Sequence, residues 1–422
     1  MTSTDHAPDP APPTPPAPVA AARGAAGGAA RRRWTAVAVL AVAVAGFLAL
    51  TLWWNHWFDL HVYHGAMRHW VREGGQLYDY VKPGSRYGFT YPPFAAYVMA
   101  PLAFVPAPLL IAASVLGSAL AARAVLGRLL GPFGDRLGQP RWWVLTVGLL
   151  LLAALEPVRE TVTFGQVNLL LLGVVAADLL LLVARDSRWA GVGIGLATAV
   201  KLTPGVFLVY LLVTRRWRAL GVATGTAAAA TLLPGALTPD TARAYWTDAV
   251  WNTDRIGVLT YASNQSLQGL VARLDPPHPN RLLWLVLVAA AVGYWAWRVS
   301  RPDCDVAAGL ALTGVLGCLV SPVTWVHHLV WLLPALLLCA GYAWVLPPRH
   351  PRRRWWLGGV AVLYALLCSR LVWAFEGDFG GLDGFLGGNA YVWAGVALLV
   401  AVPAGHWRPE PARAPAGVAP AR

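Results

Sequence analysis

Residues 34–64 read WTAVAVLAVAVAGFLALTLWWNHWFDLHVYH, an uncharged apolar stretch that runs directly into one rich in aromatic, acidic and histidine residues. The uncharged part, residues 34–54, has about the twenty residues that a helix needs to cross a bilayer. Arginines at 31–33 precede it, and tryptophan-rich residues 53–57 follow it without a small-residue cleavage site. Because positive charge stays cytoplasmic and tryptophans gather at interfaces, this stretch predicts an uncleaved first span with a cytoplasmic N-terminus.

The segment after this span has the pattern of a helix with two different faces. At the helical period its apolar side chains fall on one face and its basic side chains on the other. The apolar set is Leu60, Tyr63, Met67 and Trp70, and the basic set is His61, His64, Arg68 and Arg72. The pattern predicts a helix that lies on the membrane surface. Asp59 falls in its first turn, where free N–H groups favour an anion. It is therefore either a helix cap or a residue that takes part in the chemistry.

The whole chain has the composition of a membrane protein. Of its 422 residues, 57% are hydrophobic and only 13% are charged, and the mean hydropathy is +0.53. The net charge of +13 comes as short clusters between apolar runs, which argues against a nucleic-acid surface and for topology signals. The four cysteines fall in apolar runs without metal-ligand spacing, so we expect neither a disulfide nor zinc.

Taking the arginine clusters as cytoplasmic predicts an all-α polytopic protein with about 11–13 crossings. Its outer loops carry short interfacial helices. Residues 92–130 are long for one span and short for two, and the helices around Lys201 are short, so we expect broken or re-entrant helices there. Residues 1–33 and 406–422 are expected to be disordered cytoplasmic tails because they have little to bury. Residues 34–405 then form one membrane domain.

Polar residues gather at the outer ends of the predicted spans. They are Glu156, Glu160, Gln166, Asn168, Lys201, Thr203, Asn264, Gln265, Ser266, Trp325, His327 and His328. Charged side chains at membrane depth are costly and usually face a wet cavity or a partner. Lys201 either snorkels from a helix end or contacts a phosphate. His327 and His328 are either interfacial or functional, and Gln166 and Asn168 are either interhelical contacts or substrate contacts.

Six short motifs occur in an order that resembles glycosyltransferase family 87. They are residues 58–63 (FDLHVY), 89–94 (FTYPPF), 164–168 (FGQVN), 201–204 (KLTP), 264–267 (NQSL) and 321–328 (SPVTWVHH). The likeness covers roughly residues 34–405. It implies a GT-C membrane glycosyltransferase like the actinobacterial polyprenol-phosphate-mannose-dependent α-(1→2)-mannosyltransferases. Asp59 matches the acidic residue that is considered the catalytic base of the family. Leu60 follows it where related enzymes often have a second acid, so a bridged metal is not expected.

The residues suit the chemistry that this resemblance implies. Transfer of a sugar from a lipid phosphate requires a base for the acceptor hydroxyl and cations or donors for the departing phosphate. Asp59 can be the base, and Lys201 with His327 or His328 can hold the phosphate. Sugar or acceptor contacts are then expected from the other motif residues, which are His61, Tyr63, Tyr91, Gln166, Asn168, Asn264, Gln265 and Trp325. No cofactor is expected, and Glu156 and Glu160 are assigned to structure or acceptor binding.

The expected function is therefore mannosyl transfer from polyprenyl-phosphate mannose to a lipid-anchored mannoside at the outer face of the plasma membrane. Membrane lipid and the two substrates are the expected partners. A polyprenyl-phosphate-arabinose-dependent arabinofuranosyltransferase is the alternative within the class, because nothing in the sequence separates a pyranose from a furanose pocket. A lipid or solute transporter is the alternative outside it. Against the transporter, the polar residues gather on one side, and alternating access favours the midplane.

Overall fold

The computed structural model describes residues 19–51, 53–252, 257–403 and 405. Among these residues all regular structure is helical, apart from a single bridge between Val81 and Gly88. The α-helices in chain order are α1 (Val19–Thr51), α2 (Phe58–Met67), α3 (Pro93–Met99), α4 (Ala107–Leu129), α5 (Gly131–Arg136), α6 (Arg141–Ala154), α7 (Glu156–Phe164), α8 (Asn168–Ala177), α9 (Val192–Val200), α10 (Val206–Val213), α11 (Trp217–Leu237), α12 (Pro239–Ala244), α13 (Leu267–Leu274), α14 (Arg281–Val299), α15 (Val306–Val320), α16 (Leu333–Val345), α17 (Arg353–Cys368), α18 (Gly381–Gly387) and α19 (Ala390–Ala401).

Short 3-10 and π-helical segments extend or join these helices. They are Arg68–Arg72, Leu77–Asp79, Ala100–Phe104, Asp178–Leu182, Val183–Arg185, Thr203–Gly205, Tyr245–Ala249, Val326–Leu332 and Leu371–Phe375. Two of them matter for the candidate site. The segment Thr203–Gly205 lies between α9 and α10, and the segment Val326–Leu332 leads into α16.

The described residues contain six helical segments that are long and apolar enough to cross a membrane. They are Gly28–Thr51, Ala107–Leu129, Asn168–Arg185, Trp217–Leu237, Arg281–Val299 and Val326–Val345. Two bent pairs, α6 with α7 at 78° and α18 with α19 at 58°, raise the number to eight if each pair is one span. The predicted all-α polytopic membrane fold is confirmed. Several remaining helices are shorter than the roughly 20 residues a span needs, so the predicted 11–13 crossings stay a prediction.

The first helix starts earlier than the sequence pattern predicted. Helix α1 begins at Val19, so the part of the expected disordered tail from Val19 to Arg33 is helical. Residues 19–33 are rich in alanine, which has the highest intrinsic helix propensity, and the adjoining span continues the same helix. Residues 1–18 and 406–422, the rest of the two predicted tails, lie outside the described residues.

Both regions in which broken helices were expected contain breaks. Residues 92–130 form the short helix α3, a 3-10 turn and the single long helix α4, which begins directly after Pro106. Helix α9 ends at Val200, and Lys201 has an extended backbone before the chain turns into α10. A proline has no N–H to continue a helix, so it is tolerated at a helix start and ends a preceding one.

The bundle is built around α15, which is buried along most of its length against α14, α16 and α19. The segment around α2 and α3 forms a second apolar cluster, in which Leu60, Tyr63 and Met67 of α2 pack with Phe89 and Tyr91. The apolar face predicted for α2 is therefore present, but it packs against protein instead of lipid. This packing places Asp59, in the first turn of α2, over the break between α7 and α8.

Candidate active site

A left-handed turn fixes the start of α2. His56 and Trp57 have positive φ angles of 50° and 48°, which are uncommon for residues other than glycine. The amide N–H of Trp57 donates to the carbonyl of Thr163 at 2.7 Å, and the Asn55 side chain donates to the Thr163 hydroxyl at 2.9 Å. These bonds tie the end of α1 to the end of α7. The N-cap of α2 is Trp57, so Asp59 is not the cap residue that one interpretation of the sequence made it.

A glycine allows the other close approach at the site. Gly165 ends α7 with φ of 71°, and a Cβ there would lie 2.6 Å from the Cβ of Leu60 in α2. Only glycine meets both conditions without strain. The residue after it, Gln166, is then held directly beside the first turn of α2. The motif spacing in the sequence gave no sign of this contact.

Asp59 is the first member of a chain of side-chain hydrogen bonds. Its Oδ2 accepts from Nε2 of Gln166 at 2.7 Å, and Oε1 of Gln166 accepts from the Tyr91 hydroxyl at 2.9 Å. The Tyr63 hydroxyl lies 2.9 Å from that of Tyr91. Gln166, Tyr63 and Tyr91 are buried, and Asp59 is partly exposed. The carboxylate thus adjoins buried side chains and is itself partly exposed.

Lys201 forms the centre of the same network, at the break between α9 and α10. Its Nζ donates to Oδ1 of Asn168 at 2.8 Å and to the Tyr91 hydroxyl at 3.3 Å. Nε2 of His328 lies 3.1 Å from it. The sequence predicted that these four residues share a site, and the structure brings them together. The sequence did not show that Tyr91 links Lys201 to Gln166 and, through Gln166, to Asp59.

The two adjacent histidines differ in their contacts. Nδ1 of His328 faces the backbone N–H of Trp325 at 3.2 Å, which fixes the ring toward Lys201. The ring of His327 packs on Phe164 with centroids 5.3 Å apart, and its buried nitrogens have no hydrogen-bond partner in the described part of the chain. Its carbonyl accepts from Thr161 and Asn168. Of the two histidines, His328 is therefore the one in the network.

The surroundings of Asp59 change its acidity. Burial raises its pKa from 3.8 to about 6, and the Gln166 hydrogen bond and the charge of Lys201 oppose this rise. A carboxylate with a pKa near neutrality is a stronger base than an ordinary aspartate and is still ionised at pH 7. Burial also raises the pKa of the Tyr63 and Tyr91 hydroxyls, so both stay protonated as hydrogen-bond donors.

Asn264 and Gln265, which were expected to contact sugars, lie outside this network. Both are fully buried, and their side chains bond to backbone groups. Asn264 donates to Leu259 and Pro322 and accepts from Thr324. The Gln265 side chain donates to the carbonyls of Ala262 and Gly388 and accepts from the N–H groups of Tyr391 and Val392. Because these amide groups are already used, the geometry gives them a structural role.

Two further expected contacts have different positions. The Trp325 indole packs edge-on against Tyr261 at 5.9 Å and is partly exposed, and Trp325 joins the network through its backbone N–H. His61 lies on the other face of α2 and lines a separate groove with His64 and Arg68. Neither side chain shares a hydrogen bond with Asp59 or Lys201 in the described contacts.

Glu156 makes contacts that fit the structural role, one of its two expected assignments. It is fully buried, accepts from the Tyr391 hydroxyl and the Trp373 indole, and lies 3.7 Å from the Arg370 guanidinium. Glu160 is buried one turn later on the same helix. Among the described residues, no three histidine, cysteine, aspartate or glutamate side chains come together as a metal site. The expectation that no metal is used stays a prediction.

Comparison with known proteins identifies the family. The profile described as Glycosyltransferase family 87 matches residues 89–322, more than half of the chain. The chain belongs to glycosyltransferase family 87. As a member of family 87 with several membrane-spanning segments, it is a membrane glycosyltransferase, and the transporter alternative is wrong. The match includes Tyr91, Gln166, Asn168 and Lys201 and ends before the two histidines.

Named relatives are also similar to this chain over most of their length. A polyprenol-phosphate-mannose-dependent alpha-(1-2)-phosphatidylinositol mannoside mannosyltransferase of Mycolicibacterium smegmatis is 34% identical over 379 residues, covering 82% of this chain and 83% of the relative. Its Mycobacterium tuberculosis counterpart is 32% identical over 331 residues, 74% and 77% of the two chains. An M. smegmatis pentamannoside mannosyltransferase is 31% identical, covering 73% and 76%. No solved structure gave a significant match to this chain.

Proposed function

We propose that this family 87 glycosyltransferase transfers mannose from polyprenyl-phosphate mannose to a phosphatidylinositol mannoside, forming an α-1,2 bond at the extracytoplasmic face. Relatives at 31–34% identity bear names with this donor, linkage and acceptor class. The observation that carries the proposal is the continuous network from the Asp59 carboxylate through Gln166 and Tyr91 to Lys201. The network has a base, Asp59, at one end and a cationic group, Lys201, at the other, with two neutral side chains between them.

The proposed reaction is a single displacement with inversion. Asp59 accepts the proton of an acceptor hydroxyl as that oxygen attacks the anomeric carbon. The bond between the anomeric carbon and the phosphate oxygen breaks, and polyprenyl phosphate leaves with the electron pair. A β-linked donor gives an α-linked product, so the reaction needs no covalent intermediate and no second carboxylate. The departing phosphate is anionic, and this assigns Lys201 and His328 to it.

The contact between Lys201 and His328 supports this assignment. Because the Trp325 N–H faces Nδ1 of His328, that nitrogen accepts, and Nε2 carries the ring proton toward Lys201. With Nζ as an ammonium, the N–H groups of Lys201 and His328 point toward each other, and neither group can accept a hydrogen bond from the other. A phosphate oxygen between them accepts from both and relieves this conflict. The other two partners of Nζ, on Asn168 and Tyr91, are neutral oxygen atoms.

The remaining network residues have positioning roles in this proposal. Gln166 bonds Asp59 and Tyr91 at once, so it fixes the rotamer of the carboxylate and the direction of the tyrosine hydroxyl. Asn168 ties Lys201 to the backbone of the histidine segment, through its oxygen to Nζ and its nitrogen to the His327 carbonyl. A base and a phosphate site held at fixed separation lower the entropy cost of aligning two substrates.

A transfer assay with purified, detergent-solubilised protein tests the function. The protein is incubated with phosphatidylinositol mannoside and either labelled polyprenyl-phosphate mannose or labelled polyprenyl-phosphate arabinofuranose. We expect label in glycolipid from the mannose donor only, and its release by a mannosidase specific for α-1,2 linkages. Label from the arabinose donor alone would replace the proposed donor with the alternative weighed from the sequence. Resistance to that mannosidase would contradict the linkage.

The proposed orientation has its own test. In a cysteine-free variant, single cysteines at the exposed positions Arg86 and Asp378 should react with a membrane-impermeant thiol reagent in intact cells. Cysteines at the exposed positions Arg136 and Arg352 should react only after permeabilisation. The reverse pattern would place the Asp59 network on the cytoplasmic side. Asn264 is unsuitable as a probe because it is fully buried.

A further inference from the structure

A basic groove follows the second face of α2, away from the buried side chains Leu60 and Tyr63. It has a volume of about 450 Å³, and His61, His64, Arg68 and Lys82 line it. The carboxylate of Glu73 is the one acidic side chain among the lining residues of this groove, and it pairs with His69 at 3.4 Å. Arg68 and Lys82 outnumber Glu73, so the groove has a net positive charge even with both histidines neutral.

The groove is held in shape by the backbone and by aromatic packing. The Tyr80 hydroxyl lies across α2 where Gly65 leaves room, since a Cβ at Gly65 would be 1.9 Å from it. Lys82 is fixed on the facing loop by its N–H bond to the Tyr87 carbonyl at 2.9 Å. Its Nζ lies 4.8 Å from the ring centroid of Phe58. The basic side chains thus face one another across a preformed surface.

The His64 imidazole already responds to the charge of this groove. Burial lowers the pKa of His64, and the positive charges of Arg68 and His61 lower it further. Tyr80 and Lys82 face the same space from the opposite loop. Mutually repelling cations gain free energy when an anion enters between them, and the gain is largest for a group that accepts several charge-assisted hydrogen bonds.

We propose that this groove binds the phosphodiester of the acceptor glycolipid, which rests on the proposed mannosyl transfer to a phosphatidylinositol mannoside. The position fits one molecule that reaches from the groove to the base. Lys82 touches Phe58, the neighbour of Asp59, at the first turn of α2. An α-helix with its side chains is about 10–12 Å across, a distance that inositol and attached mannose residues span around that turn. The phosphate is thereby held on one face and the reacting hydroxyl on the other.

Two acceptors that differ in the phosphate separate this inference from the proposed function. Phosphatidylinositol dimannoside carries the phosphodiester, and octyl α-mannoside offers a mannose hydroxyl without it. The test variant combines Arg68→Gln with Lys82→Gln, and the control is Arg72→Gln, an exposed arginine on the same segment that does not line the groove. We expect the double variant to lose about 30-fold in kcat/KM for the dimannoside, because two charge-assisted contacts to the phosphate are removed.

The same double variant should keep kcat/KM for octyl α-mannoside and KM for the donor within about threefold of wild type, as should the control for both acceptors. An equal loss with both acceptors would assign the groove to folding or to general lipid attraction and overturn the inference. Unchanged use of the dimannoside would also overturn it. If the wild-type protein transfers mannose to neither acceptor, the proposed function itself fails, and this outcome is distinct from the other two.

Discussion

Two groups of polar side chains differ in the kind of hydrogen bonds that they make. In the Asp59 network, side chains bond to side chains, from Asp59 through Gln166 and Tyr91 to Lys201 and His328. In a second group, Asn264, Gln265 and Arg273 bond mainly to backbone groups. Arg273, for example, donates to the carbonyls of Tyr261 and Asn264 and to the Asn389 side chain. We call this second group the loop clamp.

This difference in hydrogen bonding indicates which group is able to bind and act on a substrate. A backbone carbonyl or N–H that loses its partner in a buried place costs free energy, so the loop clamp is committed to holding its loops together. Side chains of the Asp59 network can exchange a partner for a substrate oxygen, since Asp59, Lys201 and His328 are partly exposed. Both groups consist of polar residues, and the kind of hydrogen-bond partner separates them.

The largest expected effect follows replacement of the carboxylate. Asp59→Asn keeps the shape and can still bond Gln166, but an amide cannot accept the proton of a hydroxyl, so turnover should fall 10²- to 10⁴-fold. Burial raises the Asp59 pKa, so this group's contribution to stability is full below pH 4 and lost as pH rises to about 6. At pH 7 the Asn variant should therefore melt at the same temperature or higher. An active Asn variant would remove Asp59 from the mechanism.

Replacement of the central cation comes next. Lys201→Met keeps the apolar stem and removes the charge, and we expect kcat/KM for the donor to fall about 30- to 1,000-fold. The melting curve should stay near that of the wild type, because the lysine sits at a helix break instead of within α9 or α10. Wild-type kinetics in this variant would return Lys201 to the snorkelling role that the sequence also allowed.

Replacing each of the two adjacent histidines tests the same distinction within one motif. His328→Leu should lower kcat/KM for the donor about 10- to 100-fold, because it removes the N–H that faces Lys201. His327→Leu should change activity less than threefold, because the His327 ring packs on Phe164. Both are measured by transfer of labelled mannose. A larger loss for His327 would instead make its unpartnered imidazole the substrate contact.

The pH dependence of the wild-type enzyme should report the state of the base. Since Asp59 must be ionised to accept a proton and its pKa is raised to about 6, the rise of kcat/KM with pH should have its midpoint near pH 6. The residual activity of Asp59→Asn should lack this step. A wild-type midpoint near 4 would mean that the carboxylate is hydrated and lacks the effect of burial.

The smallest effect on activity is expected in the loop clamp. Gln265→Ala leaves the N–H groups of Tyr391 and Val392 without their acceptor in a buried place, so we expect a loss of stability of about 2–4 kcal/mol. The folded fraction should keep its specific activity within twofold. Gln166→Ala is the matched variant, and it should lower activity more than tenfold with a smaller loss of stability. Equal behaviour of the two glutamines would remove the distinction between the groups.

The sequence by itself determined the class of molecule. Long uncharged runs, arginine clusters and six ordered motifs were sufficient for an all-α membrane protein and for a resemblance to family 87, because bilayer thickness and charge placement act on local composition. The break at Lys201 was also predictable, since the apolar runs beside it are too short to cross a membrane. The apolar face of α2 was predictable too, because it follows from helical periodicity alone.

The tertiary structure alone decided which polar residues meet. Asn168 and Asn264 look equivalent in the sequence, because each lies in one of the short motifs FGQVN and NQSL. Asn168 bonds Lys201, however, and Asn264 bonds the backbone. The approach of Gly165 to Leu60 and the turn at Trp57 bring Gln166 to Asp59, and both contacts join residues about a hundred positions apart. Such contacts depend on how helices pack in three dimensions, and the local pattern of a sequence does not specify that packing.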